Sequence, residues 1–101
     1  MIAIFDLDGT LALNEHRQHF LEERPQNWKA FEEACVNDVL NRPIAVICRE
    51  LSSLDHTIYI FSGRSDTVEL QTRDWLDKND VPYDGVHLRR SGDFRDDRIV
   101  K

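Results

Sequence analysis

Four apolar residues open the chain, Ile2, Ala3, Ile4 and Phe5, and the run stops abruptly at Asp6, Asp8 and Gly9. An apolar run without polar alternation suits a strand buried on both faces, in the middle of a parallel sheet. Open α/β sheets gather their ligands at the carboxyl ends of such strands. Residues two apart on an extended chain project to the same side, so Asp6 and Asp8 can face one small volume. Gly9 then lets the chain turn sharply away. Two carboxylates with ordinary pKa values of about 3.9 are both ionised at neutral pH and repel. A divalent cation, a shared proton or nearby Lys and Arg side chains would offset that repulsion. An ordinary Asp-Gly turn is the competing reading. The position directly after a buried-type strand and before Thr10-Leu11 favours a site.

The 101 residues make one domain, large enough for a core without staples but short for a five-stranded α/β sheet. A formal charge of -6 argues against non-specific binding to long nucleic acid, so an anionic substrate would need a local basic cluster. Arg89, Arg90, Arg95, Arg98 and Lys101 supply one, interleaved with Asp93, Asp96 and Asp97. With no membrane-length apolar run, and with a strand where a leader would stand, the chain reads as cytoplasmic. Cys35 and Cys48 lack metal-ligand spacing and read as buried, reduced thiols. His16 and His19 read as surface or cap residues.

From about residue 12 to 41 the chain makes an excursion. Within it Trp28, Phe31, Ala34 and Cys35 recur at helical spacing opposite Glu32 and Glu33, which predicts a short helix over 27–36 with Trp28 and Phe31 as core anchors. Arg17 lies near enough to Asp8 for its guanidinium to reach back toward a phosphate, although a lone arginine in a loop is ordinarily solvated. Asn41 can cap a helix over 43–54, with Pro43 near its first turn and Ile44, Ile47, Cys48, Leu51 and Leu54 on one stripe. Thr57 to Phe61 is a second buried strand, parallel to the first by a right-handed crossover. At its end Ser62, Gly63 and Arg64 offer a hydroxyl, a flexible backbone N–H and a cation, a cradle for phosphate oxygens if they are more than a turn. A helix over 66–78 presents Val68, Trp75 and Leu76 inward and Glu69, Arg73 and Asp77 outward. A third strand falls within 83–88, and Asp96-Asp97 opens a further helix carrying Lys101. No Walker-type phosphate loop is present, so the chain holds no kinase signature of that kind.

The stretch 2–10 resembles the first motif of the haloacid dehalogenase superfamily of phosphotransferases, and Ser62-Gly63-Arg64 resembles its second. Arg17, Asn27-Trp28 to Phe31, Ser62-Gly63-Arg64, Thr72 to Leu76, and Gly92-Asp93 leading to Asp96-Asp97 and Lys101 are together similar to the phosphatase domain of phage polynucleotide kinase/phosphatases. That resemblance spans nearly the whole chain. It implies a Rossmann-like parallel sheet in which the insert over about 12–41 is a small helical cap. It implies Mg²⁺ bound by Asp6 and by the backbone carbonyl of Asp8, with Asp6 as nucleophile and Asp8 as general acid and base. Ser62, Gly63 and Lys101 would hold the phosphoryl oxygens with support from Thr10, Arg98 being the rival to Lys101, and Arg17 and Arg64 would hold the substrate. The implied substrate is a 3′-phosphate at a nucleic-acid end. A nucleotide or other small phosphoester, a phosphate-binding module without catalysis, and a receiver-like domain phosphorylated on aspartate are the alternatives. One departure stands out: the superfamily's fourth motif, an acidic pair after a further strand, has no counterpart, because Asp96 and Asp97 precede the lysine. Without the last strands one edge of the first strand is left unpaired. The expectation is therefore a longer protein whose further segment covers that edge, or self-association.

Overall fold

The computed structural model describes residues 1–90; Lys101, Arg98 and the helix expected from Asp96-Asp97 lie outside the described residues. Strands β1 (Ile2–Asp6), β4 (Thr57–Ser65) and β5 (Gly85–Arg89) form a parallel sheet in the order β1-β4-β5. Helices α2 (Arg42–Ser53) and α3 (Glu69–Lys78) make the two crossovers. The architecture is α/β, a parallel sheet with small helical insertions.

Alternation along β4 explains where the core lies. Ile58, Ile60, Ser62 and Arg64 are buried on one face, while Thr57, Tyr59, Phe61 and Gly63 are only half-buried on the other. Register brings Ala3 opposite Ile58, and both Phe5 and Val86 opposite Ile60. Ala45 and Cys48 of α2 and Trp75 and Leu76 of α3 close that face into one core. Burying such side chains contributes roughly 1.5–3 kcal/mol apiece and is the main force holding the sheet to its helices.

The chain between β1 and α2 returns on itself. Short strands β2 (Ala12–Leu13) and β3 (Val39–Leu40) pair antiparallel, and the Asn41 N–H donates to the Leu11 carbonyl, so the excursion is pinched at its base. Beyond the pinch lie a 3-10 helix (Glu15–Leu21), α1 (Trp28–Glu33) and a second 3-10 turn (Ala34–Asn37).

Several expectations are corrected. β1 is not buried on both faces: Ile2 and Ile4 are 61% and 64% exposed, because among the described residues the core helices lie on the other face. The strand beginning at Thr57 continues through Ser65, so Ser62-Gly63-Arg64 belongs to a strand, with a register irregularity between Phe61 and Ser65. Trp28 is 55% exposed and anchors no core; it meets Phe31 edge-on. Asn41 stands at the N-terminus of α2 without a side-chain capping bond, and Ile47 and Leu54 of the expected stripe face solvent.

Both cysteines are buried and free. Burial pushes the Cys48 thiol up to about 11 against the opposing charge of Arg49, and pushes Cys35 upward as well. At about pH 8 a thiol like Cys48 is thiolate only to the order of 10⁻³, and the thiolate is the reactive form. The native protein should therefore resist a thiol-specific chromogenic reagent that titrates both cysteines after denaturation; rapid modification of either in the native state would contradict this packing.

Candidate active site

β1 ends at Asp6, and the residues after it form a tight turn. The carbonyl of Leu7, a wholly buried residue, accepts from the N–H groups of Thr10 (3.3 Å) and Ala12 (2.8 Å). Gly9, at φ +81°, donates to the Ala12 carbonyl. A Cβ at Gly9 would meet nothing within 4 Å, so the requirement for glycine is the left-handed backbone, not space. The extended geometry that would project Asp6 and Asp8 alike thus stops at Asp6, and the turn carries Asp8 toward β4.

There Asp8 is held from three directions. Ser62 donates its hydroxyl to Oδ2 at 2.9 Å while accepting from the Arg64 N–H, which fixes its direction. Arg64 donates to Oδ1 from Nε (3.1 Å) and Nη2 (2.9 Å). Arg17 donates to the same oxygen from Nη2 at 2.7 Å. Period-two geometry explains why Ser62 and Arg64 arrive together: both lie on the face of β4 that carries Ile58 and Ile60. Thr72 of α3 accepts from Arg64 Nη1 at 3.0 Å, locking the far end of that side chain.

Arg17, expected in a polar loop, is completely buried. Phe31 explains this: its carbonyl accepts from Nη1 at 3.0 Å, and its ring lies 4.4 Å below the guanidinium. On the side away from Asp8, Asp38 accepts from Arg17 and Arg64 and meets His16. His16, expected at the surface or in a cap, is exposed, and its Nε2 sits 2.7 Å from Asp38 Oδ1.

These charges set the protonation of the site. Burial pushes the Asp8 carboxyl up, but the charge and hydrogen bonds of Arg64, the bond from Ser62 and the charge of Arg17 outweigh it, leaving Asp8 below its ordinary 3.8. Burial opposes the charge on Arg17, yet Asp38 and Asp8 more than compensate and hold it protonated. Asp6 differs. It is exposed, and its Oδ1 accepts from the N–H of Leu7 at 3.0 Å; no ion pair among the described residues reaches it. Thr10 lies half-buried in the turn and Gly63 half-buried between Ser62 and Arg64. Lys101 lies outside the described residues.

No group of three or more His, Cys, Asp or Glu side chains among the described residues could hold a metal ion. Both carboxylate oxygens of Asp8 are occupied by Ser62 and the arginines. The Asp6 carboxylate is open, and the Asp8 carbonyl enters no backbone hydrogen bond among the described residues. That partial, oxygen-only donor set suits a hard cation such as Mg²⁺.

The contacts that Asp38, His16, Thr72 and Phe31 make with the two arginines and with one another are not read from local pattern. Thr72 carried a signal: it falls on the buried stripe of Val68, Trp75 and Leu76, and a buried hydroxyl needs a partner. Asp38 carried none, since its position depends on the pairing of β2 with β3.

The parallel sheet, with Asp6 ending its first strand, Asp8 just beyond it and Ser62-Gly63-Arg64 on its second, fits a phosphatase domain of the haloacid dehalogenase type. The chain belongs to the family "Polynucleotide kinase PNKP phosphatase domain", whose model matches residues 1–101. A chain of the solved Pnkp1/Rnl/Hen1 complex matches with a TM-score of 0.82 at 28% identity, over 99% of this chain and 31% of that one. A second, from the Pnkp1/Rnl/Hen1 RNA repair complex, matches with a TM-score of 0.81 at 27% identity, over 98% and 29%. This chain thus spans less than a third of either relative. No curated protein matches it by sequence.

The lowered pKa of Asp8 makes a test. Its ion pairs contribute stability that is present above about 3.8 and lost as pH falls through the lower folded-state value. Asp8→Asn, which resembles the protonated form, should melt below the wild type at neutral pH, with the gap narrowing once pH drops beneath 3.8. A gap that stays constant through acid would show that these pairs do not hold the turn.

Proposed function

We propose that this chain is the catalytic core of a phosphomonoesterase that removes a 3′-phosphate from a nucleic-acid end through an aspartyl phosphate on Asp6. The observation that carries the reading is the contrast between the two aspartates: Asp8 is clamped by Ser62, Arg64 and Arg17, while Asp6, two residues away, is open.

A nucleophile needs an approachable oxygen, and an acid needs fixed geometry. The Asp6 carboxylate attacks phosphorus, the bond from phosphorus to the 3′-oxygen breaks, and the proton on that oxygen comes from Asp8. Asp8 then takes a proton from water as the water attacks the aspartyl phosphate, which regenerates Asp6 and releases inorganic phosphate. An incoming phosphate competes for the guanidinium groups now on Asp8. Once they turn to it, the burial that pushes Asp8 upward is no longer outweighed, and the carboxyl can carry its proton. Ser62, Gly63, Thr10 and, beyond the described residues, Lys101 complete the phosphoryl cradle, with Arg17 and Arg64 on the substrate. The Asp6 carboxylate and Asp8 carbonyl would hold Mg²⁺, which when bound screens the phosphate charge from the nucleophile.

The family supports a polynucleotide substrate, and one of the two relatives comes from a complex described as an RNA repair complex, which favours a nucleic-acid end and an assembly with other repair proteins. The net charge of -6 favours contact with the end alone, and is the one observation that supports a mononucleotide as second reading. Among the described residues β1 pairs with β4 alone, and its other edge is where a further strand would pair, from the rest of a longer protein or from a second copy. No helix among the described residues is long and apolar enough to cross a membrane, and a cytoplasmic location belongs to the same reading.

With Mg²⁺ and the intact protein, phosphate should be released faster from a 3′-phosphorylated oligonucleotide than from a 3′-mononucleotide, and chelation should stop both. Asp6→Asn should lower kcat by on the order of 10³-fold or more, as loss of a nucleophile does. Near-normal turnover by that variant would sink the assignment, and a preference for the mononucleotide would transfer it to the second reading.

A further inference from the structure

We propose that Asp38 is a positioning residue: a sealed carboxylate that fixes Arg17 and Arg64 as one anion-receiving pair. The inference rests on the reading that this site takes a phosphate group.

The geometry is a ring of alternating charge. Nη2 of Arg17 donates to Asp8 Oδ1 at 2.7 Å and to Asp38 Oδ2 at 2.9 Å; Nη2 of Arg64 donates to the same two oxygens at 2.9 Å each. Two guanidinium groups that share two acceptors would repel if either acceptor were lost. The acceptors differ in one respect that matters. The Asp8 side chain is 28% exposed and the Asp38 side chain 0%. A dissolved anion therefore reaches the arginines only from the side of Asp8, and can displace only that carboxylate. The bonds to Asp38 persist through the exchange and determine where the two cations stand when the phosphate arrives.

Asp38 is itself well fixed. Its carbonyl accepts from Trp75 Nε1 on α3 at 2.9 Å, its N–H donates to the Cys35 carbonyl at 3.1 Å, and β3 follows at once. The Arg17 Nε (2.8 Å) and His16 Nε2 (2.7 Å) occupy its Oδ1. Both oxygens thus face donors, and an amide there would turn its N–H₂ against a guanidinium.

Inorganic phosphate binding to the intact protein, measured by calorimetry, tests the proposal without requiring turnover. Asp38→Asn should weaken phosphate binding at least tenfold and raise KM for the 3′-phosphorylated oligonucleotide by a similar factor. Combined with Arg17→Ala, it should add less than twofold, because a residue that acts through the arginines has little left to act on once one is gone. If Asp38→Asn fails to fold, Asp38→Glu carries the test: it keeps the charge, but its extra methylene in a sealed site must shift the guanidiniums, so phosphate binding should still fall. A folded variant of either kind with wild-type phosphate affinity overturns the proposal, as does a fully multiplicative effect with Arg17→Ala. A wild type that binds phosphate but hydrolyses no phosphomonoester would refute the proposed function and leave this inference standing.

Discussion

Two guanidinium groups shared between two carboxylates are the constraint to which the rest of this structure answers. Arg17 and Asp38 come from the excursion after β1, whereas Arg64 and the Thr72 hydroxyl behind it come from β4 and α3. The insert and the sheet therefore cannot be ordered independently: each brings part of the buried charge. Such an arrangement adds little net stability, because removing ions from water offsets much of their attraction, yet breaking it by removing one partner typically costs about 3–5 kcal/mol. Its value lies in preorganisation. Dipoles and charges already in place need not reorganise as charge develops on a reacting group.

The pinch between β2 and β3 follows from the same constraint. A segment carrying one arginine and one aspartate into a core must leave and re-enter at fixed points, and the pairing of Ala12 with Leu40 and Leu13 with Val39 supplies them. Trp75 then ties the re-entry point to α3 through the Asp38 carbonyl. The insert packs through Phe31 onto Arg17 and leaves Trp28 in solvent, so its fit depends on a cation as much as on apolar burial.

What was legible in the sequence divides along the range of the interactions. Helical stripes and apolar runs are local, and α2, α3 and the strand from Thr57 lie close to where periodicity puts them. The number of neighbours a strand has is not local. Ile2 to Phe5 reads as strand correctly, but Ile2 and Ile4 are exposed because, among the described residues, the core helices cover only the other face of β1. Side-chain charge partners are less local still. The proximity of Arg17 to Asp8 could be read from spacing; its burial could not, because it required Asp38, 21 residues on, and the ring of Phe31. The extension of β4 through Ser65 was hidden by a run of residue types typical of turns, which strand pairing with β5 overrides.

The different states of Asp6 and Asp8 have one structural origin. Had β1 run on past Asp6, both carboxylates would project alike, with the same exposure and the same claim on the arginines. The turn anchored on the Leu7 carbonyl breaks that equivalence, leaving Asp6 at the open end of the strand and swinging Asp8 against β4. Electrostatics then widens the difference, since every cation that holds Asp8 ionised is one unavailable to Asp6. Two identical side chains two residues apart thereby acquire distinct environments, one open at the strand end and one clamped against β4, and a left-handed glycine is the backbone element that makes the turn possible.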